Sequence, residues 1–148
     1  MKELKTGFTK DTLILMFDGT NKKIQNIKIG NLIMSHEYYA CEVIGLDCAI
    51  KEIFKVELED KSFFNVSKDH NFIVWEIETG DIRDVSFDHL IKNTKKYFLI
   101  KKKSKDSTIS LWKFKILPKE ERKKVYKINL KQNDKMILYE SKVIIKTK

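Results

Sequence analysis

Proline occurs once and glycine five times in 148 residues, so no stretch has the make-up of a flexible or proline-rich linker. No apolar run approaches the ~18 residues that a membrane-spanning helix requires, and the opening residues MKELKTGF lack the apolar core of a secretory signal. Cys41 and Cys48 are the only thiols, with no CxxC and no histidine nearby at ligand spacing. Two separate core or surface thiols are therefore preferred to a zinc site, and neither a metal nor another cofactor is expected. A reducing, cytoplasmic (intracellular) compartment fits that cysteine usage. No internal repeat is evident.

What is present is a chain 42% apolar and 34% charged, which reads as globular rather than disordered. Its length suits one domain with a real core. The expected organisation is a leader or flanking segment at residues 1–6 and a single domain at 7–148. The net charge of +9 serves either solubility or an acidic partner. Richness in Lys, Ile and Asn is also what AT-rich coding produces, and that account is preferred to nucleic-acid binding. A monomer is expected, with a protein partner left open and no membrane.

Along the chain, Thr12 to Phe17 reads as an extended segment, Asp18-Gly19 as a hairpin turn and Lys22 to Ile27 as the returning segment. Glycine tolerates the positive φ that such turns demand. Gly30 breaks the pattern before Asn31. Tyr38 to Leu46 and Ala49 to Leu58 read as two strands separated by Asp47-Cys48. Ser62 to Ser67 and Asn71 to Ile77 are two more, followed by a turn at Thr79-Gly80-Asp81. Asp84 to Asn93 suggests one helical turn capped by Ser86 or Asp88, and Tyr97 to Lys101 a strand. Lys101 to Lys105 reads as a solvated charge run. Ser110 to Leu117 alternates, with Trp112, Phe114 and Ile116 on the face preferred for core packing over the stacking of single-stranded nucleic acid. Pro118 to Lys124 reads as a charged connector or helical turn, and Val125 to Leu130 and Lys135 to Ile145 as closing strands. Short strands with polar turns about every ten residues point to an all-β sandwich or barrel.

The order of residue types from Gly7 to Met34 resembles the opening block of the Hint family, the self-processing domains of inteins and Hedgehog proteins. That block runs nucleophile, aromatic or Leu, small residue, any residue, Asp or Gly, Thr and a strand, then Asp-Gly, Ile-x-x-Ile and Gly-Asp/Asn. Phe8, Thr9, Asp11, Thr12, Asp18, Gly19, Ile24, Ile27, Gly30 and Asn31 all match. Gly7 stands where the family has Cys or Ser. Asn65 to Val74 resembles the second block, in which a strand leads to Thr-x-x-His. Ser67 keeps the hydroxyl, and His70 is in place after Asp69. The resemblance implies that this His polarises the peptide bond before residue 7 and that the hydroxyl helps hold its carbonyl oxygen. The closing stretch from Val125 resembles the family's last blocks. Val125 and Tyr126 match well there, and Asn133, Met136 and Val143 to Ile145 match passably. Lys127, Asp134 and Glu140-Ser141 depart from it, and Lys146-Thr147 replaces the terminal His-Asn. No Asn follows Asn133.

The resemblance spans Gly7 to Thr147 with no endonuclease insert between Lys101 and Val125. It implies an all-β Hint horseshoe whose ends meet near His70. It also implies that splicing has lost its reagents. Gly7 has no side chain to attack the preceding carbonyl, and Thr147 has no amide to cyclise. Three readings follow: a Hint-like domain kept as a structural or interaction module; residual cleavage of Thr6-Gly7, with His70 activating the bond and water replacing the nucleophile; and a basic β-domain binding nucleic acid through the Lys-rich segment 92–124. Thr6 and Thr9 are not favoured as substitute nucleophiles. His36 and His89 read as surface or loop residues.

Overall fold

The computed structural model describes residues 7–68, 70–106, 108–131, 135–138 and 143–146. In chain order the strands are β1 (Phe8–Thr9), β2 (Leu13–Leu15), β3 (Asn21–Lys23), β4 (Leu32–Met34), β5 (Ala40–Leu58), β6 (Phe63–Ser67), β7 (Phe72–Glu76), β8 (Asp81–Val85), β9 (Tyr97–Lys101), β10 (Ser110–Trp112), β11 (Phe114–Leu130), β12 (Lys135–Ile137) and β13 (Ile144–Lys146). A single short helix among the described residues, α1 (Phe87–Lys92), lies between β8 and β9.

The frame is the antiparallel ladder of β5 and β11, which runs from Phe114 opposite Leu58 to Leu130 opposite Val43. Strand β6 pairs with β5, β1 pairs with β6, and β11 pairs with β1, so these four strands close a ring. Closure matters because it leaves fewer unpaired strand edges. A second sheet, ordered β10-β9-β7-β8, and two ribbons, β2-β3 and β12-β13, complete the fold. An isolated bridge from Ile14 to Leu138 ties the two ribbons together, and one from Ser35 to Met136 ties the end of β4 to β12. One large cluster, including Phe8, Val56, Val66, Val74, Leu99 and Ile128, forms the main core. Full burial of one such side chain contributes about 1.5–3 kcal/mol. No helix among the described residues is long and apolar enough to cross a membrane.

Local chemistry explains the turns. At Asp18-Gly19 the glycine has φ 88°, and the Asp18 carboxylate accepts the Thr20 N–H at 3.0 Å. Gly30, at φ 94°, similarly turns the chain into β4. Ser86 caps α1 by accepting the His89 N–H at 3.3 Å. Trp112, Phe114 and Ile116 pack against the main core, as their alternation suggests.

Four expectations are corrected. Strand β5 is continuous through Asp47-Cys48, because Asp47 lies opposite Lys127 and accepts a 3.0 Å bond from Asn129 Nδ2. Lys22 to Ile27 is not one extended segment: β3 ends at Lys23, and Ile24–Asn26 forms a 3₁₀ turn that buries Ile24. Pro118 to Lys124 is strand rather than connector, with a register shift between Pro118 and Arg122. A shift of this kind is where a sheet tolerates proline. Asp84 and Val85 belong to β8, whose other residues carried no recognisable apolar alternation.

The charge run also needs correction at its first residue. Lys101 is 5% exposed, with its ammonium over the Trp112 ring at 4.0 Å from the centroid and paired with Asp60. This pair joins the β5–β6 turn to the second sheet. Hydrogen bonds from Lys101 and then Ser62 hold the Asp60 carboxyl down at about 2, against an ordinary 3.8. A depressed carboxyl contributes stability that is present above 3.8 and is lost as pH falls towards about 2. Asp60→Asn leaves the Lys101 charge buried and unpaired, so we expect a loss of about 3 kcal/mol near neutral pH. Urea unfolding midpoints should show the gap between variant and wild type closing as the pH drops through that window.

Candidate functional site

Strand β1 is two residues long, and its position is set from both sides. Phe8 lies opposite Val66 in β6 and opposite Tyr126 in β11. Gly7 therefore faces Ser67 across the ladder, and the Ser67 N–H donates to the Gly7 carbonyl at 3.1 Å. The chain turns tightly after Ser67, whose carbonyl accepts the His70 N–H at 3.1 Å. That turn brings the imidazole back to the glycine, and the Gly7 N–H donates to His70 Nδ1 at 3.3 Å. With Nδ1 accepting, the neutral ring carries its proton on Nε2.

His70 is 1% exposed. Phe8 and Phe72 meet its ring edge-on, with centroids at 4.8 and 4.9 Å, so its plane is fixed by packing. Ser67 is equally buried, and its Oγ has no hydrogen-bond partner among the described residues. An unpaired buried hydroxyl costs about 1–3 kcal/mol.

The missing side chain at position 7 leaves a mark on its neighbour. A Cβ built on Gly7 would lie 2.8 Å from Val125 Cγ2 and 3.0 Å from Val125 Cβ, with Ser67 Oγ at 3.7 Å. Val125 is fully buried against Ile53. Its methyl thus stands too close for a Cβ at position 7 to fit without a shift. Packing, rather than a left-handed backbone, is what favours glycine there.

The structure thus brings Gly7, Ser67 and His70 together. Asp69 and Thr147 lie outside the described residues, as do Asn133, Asp134 and Glu140-Ser141. Lys146 ends β13 and pairs with Lys135, and β13 packs beside β7, the strand that follows His70. Val125 and the two ring walls were not legible as site residues. Val125 was visible only as half of a Val-Tyr pair, and Phe8 and Phe72 only as apolar neighbours. Asp11 shows why its position takes Asp or Gly: φ is 72°, and its side chain and amide are both bonded to Gln25.

The other candidates sit apart. His89 Nε2 meets the Tyr97 hydroxyl at 2.7 Å on the exposed face of α1, and His36 lies beside Glu37 in the β4–β5 loop. Cys41 is buried and Cys48 exposed. Among the described residues no group of three His, Cys, Asp or Glu side chains could hold a metal. Within the segment 92–124, Lys101 is buried, Lys115 pairs with Glu57 and Lys123 pairs with Glu121.

No protein-family model matches the chain. The catalytic subunit of the V-type proton ATPase from Candida tropicalis is 32% identical over 77 residues, covering 45% of this chain and 7% of that protein. Similar solved structures include the TvoVMA intein, with TM-score 0.78 and 14% identity, covering 95% of this chain and 97% of that one. A DnaB intein from Synechocystis sp. PCC 6803 has TM-score 0.75 and 13% identity, covering 97% and 99%. An intein-like domain from Clostridium thermocellum has TM-score 0.69 and 16% identity, covering 95% and 97%. The chain has the all-β Hint fold, at mini-intein size.

Two stability measurements probe the packing. Gly7→Ala should cost about 1–3 kcal/mol through overpacking. Combined with Val125→Ala, the total loss should be smaller than the sum of the two single losses, because the residues compete for one space. Ser67→Ala, which removes an unpaired hydroxyl, should stabilise by about 1 kcal/mol. Denaturant unfolding reads both.

Proposed function

We propose that the chain is an intein-like Hint domain that has lost self-splicing and persists as a structural or interaction module. The observation that carries this reading is Val125 Cγ2 lying 2.8 Å from where a Cβ on residue 7 would be, too close for a side chain to start there without a shift. Gly7 supplies no attacking group, and the space for one is crowded. The closing end is consistent with the same reading, since Lys146-Thr147 stand where the resemblance would put the terminal His-Asn. The short match to the V-type ATPase protein, 7% of that protein's length, is what a domain lodged within a longer chain would give.

A second reading is favoured by the 3.3 Å bond between the Gly7 amide and His70 Nδ1. Gly7 N is the nitrogen of the Thr6-Gly7 peptide bond, so His70 touches the atom that must be protonated if that bond is to break. Cleavage at this junction alone is compatible with the loss of splicing.

The test is intact mass of the chain placed between two folded tags and incubated for days with and without thiol. The expected result has no joined tags, and the C-terminal tag remains attached in every species. Joined tags with the domain excised would overturn the proposal. A fragment beginning at Gly7, absent in His70→Ala, would establish the second reading.

A further inference from the structure

One face of β5 is bare over the first half of the strand. Ile44, Leu46, Cys48 and Ile50 alternate along it and so lie on the same side of the pleat. Leu32 joins them, because it lies opposite Glu42, the preceding residue of that row. Phe17 extends the row, its N–H donating to the Leu32 carbonyl at 3.1 Å. Ile29 borders it, since the next N–H, that of Gly30, donates to the Val43 carbonyl at 2.8 Å. Phe17, Ile29, Leu32, Ile44, Leu46 and Ile50 are each between 42% and 66% exposed. Single exposed apolar side chains are ordinary, whereas a continuous patch marks an interaction site. Between Leu46 and Cys48 of this face and the neighbouring Ile24, Ile27 and Tyr126 lies a groove of about 200 Å³.

Cations stand beside this face. Lys22 Nζ donates to Asn31 Oδ1 at 3.4 Å, next to Leu32. Lys124 lies opposite Ile50, and the Arg122 guanidinium donates to the Ile50 carbonyl at 3.4 Å. The Lys131 N–H donates to the Glu42 carbonyl at 3.1 Å. Of the neighbouring carboxylates, Glu52 pairs with Lys68, Asp18 accepts from Thr20 and Asp47 accepts from Asn129, which leaves Glu42. We propose that this face docks an extended, acidic protein segment with apolar side chains at alternate positions; this rests on the interaction-module reading above and names its surface. An extended segment repeats its side chains on one side every ~6.8 Å, the spacing of Ile44, Leu46, Cys48 and Ile50. One apolar side chain of the segment anchors in the groove. The carboxylates between its apolar positions meet the surrounding cations, which steers encounter and fixes register. Regular spacing and a groove suit a polypeptide, whereas a fluid bilayer requires neither. Phe17 is the one aromatic ring among the six exposed residues, too few for the stacking platform that single-stranded nucleic acid uses.

A fluorescein-labelled ten-residue peptide alternating Leu and Glu, titrated with the full chain and read by anisotropy, tests this. Saturable binding is expected, weakening about tenfold or more when the Leu positions become Ser or the Glu positions become Lys. Ile44→Ser combined with Ile50→Ser, folded by circular dichroism, should weaken it by a similar factor, as should Lys124→Glu. Ile82→Ser, at an exposed position of β8 in the second sheet, should leave it unchanged. Bound peptide should also slow alkylation of the exposed Cys48 by N-ethylmaleimide. Absence of saturable binding, or equal binding of the Lys peptide, overturns the proposal. Tighter binding to phosphatidylserine vesicles or to oligothymidine at the same salt concentration overturns it too. So does dimerisation in sedimentation equilibrium that the double Ser variant abolishes, since the face then belongs to a second copy. The intact-mass test is independent of all these outcomes: joined tags overturn the loss of splicing whatever the peptide does.

Discussion

The geometry of the site depends on one constraint: a strand of two residues, Phe8–Thr9, held between β6 and β11. So short a segment has no propensity of its own to be extended, and its conformation comes from the partners on each side. The β5–β11 ladder supplies one wall and the β5–β6 hairpin the other, so the longest strands of the fold position the shortest. Once β1 is fixed, Gly7 must face Ser67. The turn from Ser67 to His70 then returns the imidazole to the backbone that the same strand presents. Phe8, the residue after the glycine, is both a core side chain and one of the two rings that fix the imidazole plane. Core packing and site geometry are therefore the same set of contacts.

Much of this was legible in the residues. Asp18-Gly19, Gly30, the Ser86 cap and the span Tyr97 to Lys101 follow from turn chemistry, capping and β-branched or aromatic content, which are local properties. Ser67 and His70 were legible because a spacing of three residues carries information that local composition does not. The failures have one cause in common, which is dependence on a partner strand distant in sequence. Asp47 stays in a strand because Lys127 and Asn129 lie across from it, some eighty positions later. Pro118 sits in a strand because the ladder shifts register beside it. Val125 matters at Gly7 only because β11 folds back onto β1. None of these has a local signature.

Charge tells the same story. A run such as Lys101 to Lys105 is ordinarily solvated, and residues beyond the first conform to that pattern. Lys101 departs because its alternate neighbours in β9 face the core and the strand's periodicity carries it inward. There Trp112 and Asp60 give the ammonium a π face and a carboxylate. The excess of positive charge therefore says little about partners by itself. Part of it is structural, and other lysines are spent on Glu57 and Glu121.

The two neighbours of Gly7 meet it differently. On one side Val125 approaches the glycine more closely than a Cβ would allow, and close packing of that kind favours the fold. On the other side Ser67 has a buried hydroxyl without a partner among the described residues, beside an imidazole bonded to the Gly7 amide. Removing such a hydroxyl, as in Ser67→Ala, removes the desolvation cost and loses no bond among the described residues. Packing therefore accounts for Gly7, through Val125, and not for the hydroxyl of Ser67.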